Sequence, residues 1–87
     1  MIAEADIYRA LGEIFSDVFL RDDIALSPAL SASDVDGWDS FKQIEIVMAT
    51  EERFDFKFTS LELDEMRRLG DLVQIVAERG RLPDRRA

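Results

Sequence analysis

Apolar residues recur at intervals of three and four along most of this chain and almost nowhere at intervals of two. Ile7, Leu11, Ile14, Phe15 and Val18 fall on one face of a helix spanning 3–19. Glu4 and Asp6 stand near its start, where the helix dipole favours negative charge. Residues 40–54, SFKQIEIVMATEERF, form a second helical segment. Thr59 and Glu62 have the spacing of a capping box and predict a short third helix through about Arg67, with Leu61, Leu63 and Met66 able to face inward. Leu72, Val73 and Val76 stripe a last helix over about 70–79, which Gly80 suits as the C′ residue. Phe56 and Phe58 alternate as a strand would, but two residues do not make one. The expected fold class is therefore all-α, a small four-helix bundle with a short third helix.

The connection between the first two helices, residues 20–40, is long. It contains Pro28, Gly37, four Ser and five Asp. Structureless connections of this length are uncommon in small domains. Ile24, Leu26, Leu30, Val35 and Trp38 can pin it onto the helices, so an ordered loop is expected. A single domain over 1–80 and a mobile, basic tail over 81–87 complete the organisation.

Composition excludes several functions. With 87 residues the core is small, about 60% of the unfolded chain's surface being buried. The chain has no cysteine and no histidine, so it lacks a thiolate nucleophile, a Cys or His metal site and every triad built on histidine. A self-contained enzyme is not expected. The net charge of −8 disfavours nucleic acid and anionic membranes as partners and favours a protein with a basic rim. The N-terminus lacks the basic, apolar pattern of a signal peptide, and no stretch approaches the roughly 20 apolar residues of a membrane span. A cytoplasmic monomer is expected. The Asp cluster fails as an EF-hand: with Asp36-Gly37 at positions five and six, the first and last ligand positions fall on Ala32 and Gln43.

Two features point to chemistry. The second helix carries one apolar stripe of Ile46, Val47 and Phe54, weakened by Gln43 and Thr50, and a second, separated stripe of Phe41, Ile44 and Met48 beside Glu45, Glu51 and Glu52. A small bundle rarely needs two stripes on one helix for its own core. The second stripe is either loop packing and scattered surface residues or a docking face with an adaptable Met and an acidic rim. Residues 39–65 hold eight acidic and three basic residues, which concentrates the acidity here. Ser40 opens this helix. It can act as an N-cap with Gln43 in a capping box, but Asp39 is an equally good cap, and that redundancy frees Ser40 for another role. A phosphodiester on its hydroxyl would meet the favourable field of a helix N-terminus. The residues alone leave both readings open, including that of a small acidic helical interaction module that is never modified.

The segment GWDSFKQIEIVMATEERFDFKF resembles the attachment-site region of acyl carrier proteins, in which an Asp-Ser-Leu triplet opens helix two and a Glu-Glu-x-Phe ending follows. Here these are Asp39-Ser40-Phe41 and Glu51-Glu52-Arg53-Phe54. The likeness covers roughly residues 4–80. It implies the family's four-helix bundle and 4′-phosphopantetheine attached to Ser40, with Asp39 flanking. A phosphopantetheinyl transferase would donate this group from coenzyme A with magnesium, and its thiol would carry acyl groups for fatty-acid, polyketide or related specialised biosynthesis. Phe41, Ile44, Glu45, Met48, Glu51 and Glu52 match the family's partner-recognition helix, which acyl-processing enzymes with basic docking surfaces would meet. The sequence departs from the family pattern at Phe41, at Lys42, whose charge opposes the dipole, at Thr50, which polarises an inward position, and at Arg68, where a Ser or Thr cap is expected.

Overall fold

A computed structural model describes residues 2–81. Helices α1 (Glu4–Phe19), α2 (Ser40–Phe54), α3 (Ser60–Glu65) and α4 (Leu69–Arg79) follow in order, with a single 3-10 turn at Ala32–Asp34 in the first connection. No strand forms among the described residues. The periodic segments became helices close to their expected limits. Except for Arg81, whose N–H donates to the Phe54 carbonyl, the expected tail lies outside the described residues.

Helix α1 packs against both α2 and α4. The core is built from Ile7, Leu11 and Phe15 of α1, Ile46 and Phe54 of α2, and Val76 of α4, all within 2% of full burial. Thr50 is also fully buried, and it does not leave a polar group stranded: its Oγ1 donates to the Ile46 carbonyl at 2.7 Å. A hydroxyl satisfied by the preceding turn costs far less than an orphaned one.

The long connection is ordered because it is pinned at both kinds of site. Ile24, Leu26, Leu30 and Trp38 pack on the core, and Val35 is buried. Its backbone also caps a helix. The N–H groups of Leu69 and Gly70, which have no partner inside α4, donate to the carbonyls of Leu30 (2.8 Å) and Pro28 (3.0 Å). Asp71 completes this cap by accepting from Arg67 N (3.0 Å) and Arg68 N (3.1 Å). A side-chain cap at Arg68 is therefore unnecessary.

Three expectations are corrected. Helix α3 stops at Glu65 because the Arg67 and Arg68 N–H groups turn to the Asp71 cap; Met66 alone of its apolar residues packs on the core, and Leu61 and Leu63 are exposed. Gly80 is not left-handed (φ −80°). A side chain there would meet Val76 O at 2.9 Å and Phe54 Cβ at 3.0 Å, so glycine serves close approach. The left-handed helix ends are instead Leu20 and Asp55.

Glycine substitutions should separate these roles. A Cβ on Gly70 would lie 3.0 Å from both Pro28 O and Pro28 Cβ, whereas one on Gly12 meets nothing within 4 Å. Gly12→Ala is expected to stabilise the fold by about 0.5–1 kcal/mol through helix propensity, and Gly70→Ala to destabilise it by about 1–3 kcal/mol, read by urea unfolding. The α4 cap should also show in pH dependence. Hydrogen bonds from Arg67 and Arg68 N–H hold the Asp71 carboxyl below its ordinary 3.8. Its contribution is therefore complete above the unfolded value and is lost as pH falls through the lower folded value. Asp71→Ala should cost about 1 kcal/mol at neutral pH. The gap to the parent should close in unfolding curves taken below pH 3.8.

Candidate functional site

The start of α2 is set by the turn before it. Trp38 N donates to Val35 O (3.2 Å), and Gly37 takes a positive φ of 88°, the conformation that the third position of a type II turn requires. Trp38 then packs edge-on against Phe15, ring centroids 5.3 Å apart, and lies 6.1 Å from Phe19. Its indole N–H donates to Gln43 Oε1 at 2.8 Å, which ties the turn to the first turn of α2. Asp39 is the N-cap, its Oδ1 accepting from Lys42 N at 3.0 Å.

This division of labour decides what Ser40 is. The residue stands at the first helical position, exposed, and its hydroxyl makes no hydrogen bond among the described residues. The capping box read from Ser40 and Gln43 does not form, because Gln43 is committed to Trp38 and Asp39 holds the cap. Ser40 borders a cavity of about 570 Å³ between α2, the end of α3 and the start of α4. Trp38, Ile46 and Leu72 line it within, and Ile44, Leu63 and Met66 also line it. Among the described residues no group of three or more acidic side chains is arranged to hold a metal ion.

The other residues singled out on α2 fall into two sets. Phe41, Ile44 and Met48 are 78%, 54% and 62% exposed, so this stripe is surface and not loop packing. Glu45 and Glu52 are exposed beside it. Glu51 is half-buried and already engaged, its Oε2 accepting from Phe58 N at 2.8 Å. Lys42 is half-buried: its Nζ donates to the Val18 carbonyl at 3.0 Å and lies 3.6 Å from Glu45. Helix α1 has no basic residue in its own last turn, so Lys42 supplies the cation that its C-terminus lacks. The charge that opposes one dipole therefore complements another. Only the three-dimensional meeting of α1 and α2 reveals this.

No protein-family model and no curated protein matches the chain. Among solved structures, the holo acyl carrier protein from Geobacter metallireducens, determined in solution by NMR, superposes with a TM-score of 0.75 and 36% sequence identity over 80% of each chain. The chain belongs to the acyl carrier protein family. Its short α3 and long ordered α1–α2 connection accord with that family, and the similarity to a holo carrier supports a carrier role. No helix is long and apolar enough to cross a membrane among the described residues.

In this carrier Lys42→Met keeps the apolar stem and removes the ammonium, leaving the Val18 carbonyl without its donor. It should lower stability by about 1 kcal/mol, measured by urea unfolding.

Proposed function

We propose that Ser40 carries 4′-phosphopantetheine, whose thiol holds acyl groups as thioesters. One observation carries this reading: Ser40 is an exposed hydroxyl at a helix start where another residue already caps the helix, so its side chain has no structural duty. The residues fit the group. The free N–H groups of the first turn favour a phosphodiester, and the adjoining cavity offers space to a tethered chain. The thiol is the chemistry the prosthetic group supplies, and this chain has no thiol of its own. The group would come from coenzyme A through a phosphopantetheinyl transferase with magnesium. The similar Geobacter metallireducens protein is itself a holo form.

The exposed Phe41, Ile44 and Met48, rimmed by Glu45 and Glu52 with Glu51 at its edge, form the surface offered to the transferase and to acyl-processing enzymes of fatty-acid, polyketide or related specialised biosynthesis. Partners with basic rims are favoured by the charge of −8, which also disfavours nucleic acid and anionic membranes. The carrier works as a monomer in the cytoplasm.

Intact-mass spectrometry after incubation with coenzyme A, magnesium and a promiscuous transferase should give a gain of one phosphopantetheine. Ser40→Ala should abolish the gain while changing stability by less than about 0.5 kcal/mol, since Asp39 keeps the cap. No gain on folded wild-type protein with several transferases would make the chain an acidic interaction module instead.

A further inference from the structure

The charged residues lining the cavity beside Ser40 are two arginines and one aspartate. Gln43 has spent its acceptor oxygen on the Trp38 indole, which leaves its amide N–H groups to face other partners. Arg67 and Arg68 also line the cavity, and a guanidinium has five N–H donors and no acceptor. Neither guanidinium hydrogen-bonds or ion-pairs with a described residue. The nearby Asp71 carboxylate takes their backbone N–H groups and does not come within ion-pair distance of their side chains. The one carboxylate on the lining, Asp39, stands beside Ser40 and caps α2.

Arg67 and Arg68 are both exposed and both border this one space; neither has an ion-pair partner among the described residues, although the charge of each reaches Asp71 and favours its ionised form. Arg9, Arg21, Arg53, Arg79 and Arg81 each have an acidic partner. A space with apolar walls and two arginines against one carboxylate at its rim is complementary to a chain that is apolar along its length and anionic at its end. We propose that this cavity selects the cargo of the carrier, receiving acyl groups that bear a terminal carboxylate, with Arg67 and Arg68 as the residues that read it. The proposal rests on the Ser40 attachment reading. Gln43 assists by committing its acceptor oxygen to Trp38, which leaves its amide N–H groups for the cargo. A purely aliphatic acyl group would leave the guanidiniums unmatched and would have to displace their water.

Wild type and Arg67→Gln/Arg68→Gln can be loaded by the transferase from coenzyme A, hexanoyl-coenzyme A and adipyl-coenzyme A, with loading checked by intact mass. The readouts are the Trp38 indole N–H resonance, which reports on the cavity wall, and the thermal midpoint. Adipyl-loaded wild type should show a shifted indole resonance. Its midpoint should lie roughly 5 °C above that of the hexanoyl-loaded form, the effect of one net charge-assisted contact in a domain this small. Both differences should vanish in the double variant. An equal response to hexanoyl cargo, or an adipyl response that survives the double substitution, would overturn the proposal. The same indole shift from the unacylated arm alone would also overturn it, since the arginines would then grip the arm and not the cargo. Failure to load any form would overturn the attachment reading itself, an outcome the mass check separates from the others.

Discussion

Two loop carbonyls, those of Pro28 and Leu30, hold together the least regular part of this fold. An α4 of eleven residues begins with N–H groups that nothing inside the helix can satisfy, and a connection of some twenty residues runs past it with carbonyls to spare. Each solves the other's problem. The bonds fix the loop at its midpoint, the side chains of Ile24, Leu26 and Leu30 pack behind it, and the chain that emerges has little freedom left by the time it reaches Val35. Gly70 is the steric condition for this arrangement, because the backbone of Pro28 occupies the volume a side chain would need.

The order imposed there passes directly to the site. A fixed loop allows the Val35–Trp38 turn to form in one place, Trp38 to settle against Phe15 and Phe19, and its indole to engage Gln43. Asp39 then falls at the one position from which its carboxylate can cap α2. Ser40 is presented by this sequence of contacts without taking part in any of them. Modification of Ser40 would leave the helix start intact, since Asp39 and not Ser40 supplies the cap.

Much of this was legible before the structure. The helices follow from apolar spacing, and the capping box of Thr59 and Glu62 forms as its spacing predicts, with both hydrogen bonds present. The second apolar stripe on α2 is legible too, whereas its exposure is not, since the sequence leaves loop packing open and only the structure places it at the surface. What sequence could not supply are contacts between distant segments. That Lys42 serves the end of α1, that loop carbonyls replace a side-chain cap on α4, and that Gly80 is kept small by Phe54 all depend on packing partners with no local signature. The end of α3 was misplaced for the same reason: the pull on Arg67 and Arg68 comes from Asp71, beyond the segment whose spacing was read.

The distribution of charge gives the two faces of the site different work. Outward from α2 the carrier shows acid around apolar side chains, a pattern that attracts basic partners at long range and releases them when the small apolar contact is broken. Next to Ser40, at the cavity, it shows two exposed arginines. A tethered anion would therefore be repelled by the outer face of α2 and attracted to the arginine-bearing rim of the cavity. A partner with a basic rim would bring positive charge to the outer face and so lower the electrostatic difference that holds such a cargo. Docking and release of the cargo would then be coupled through the same field, with no change of fold required.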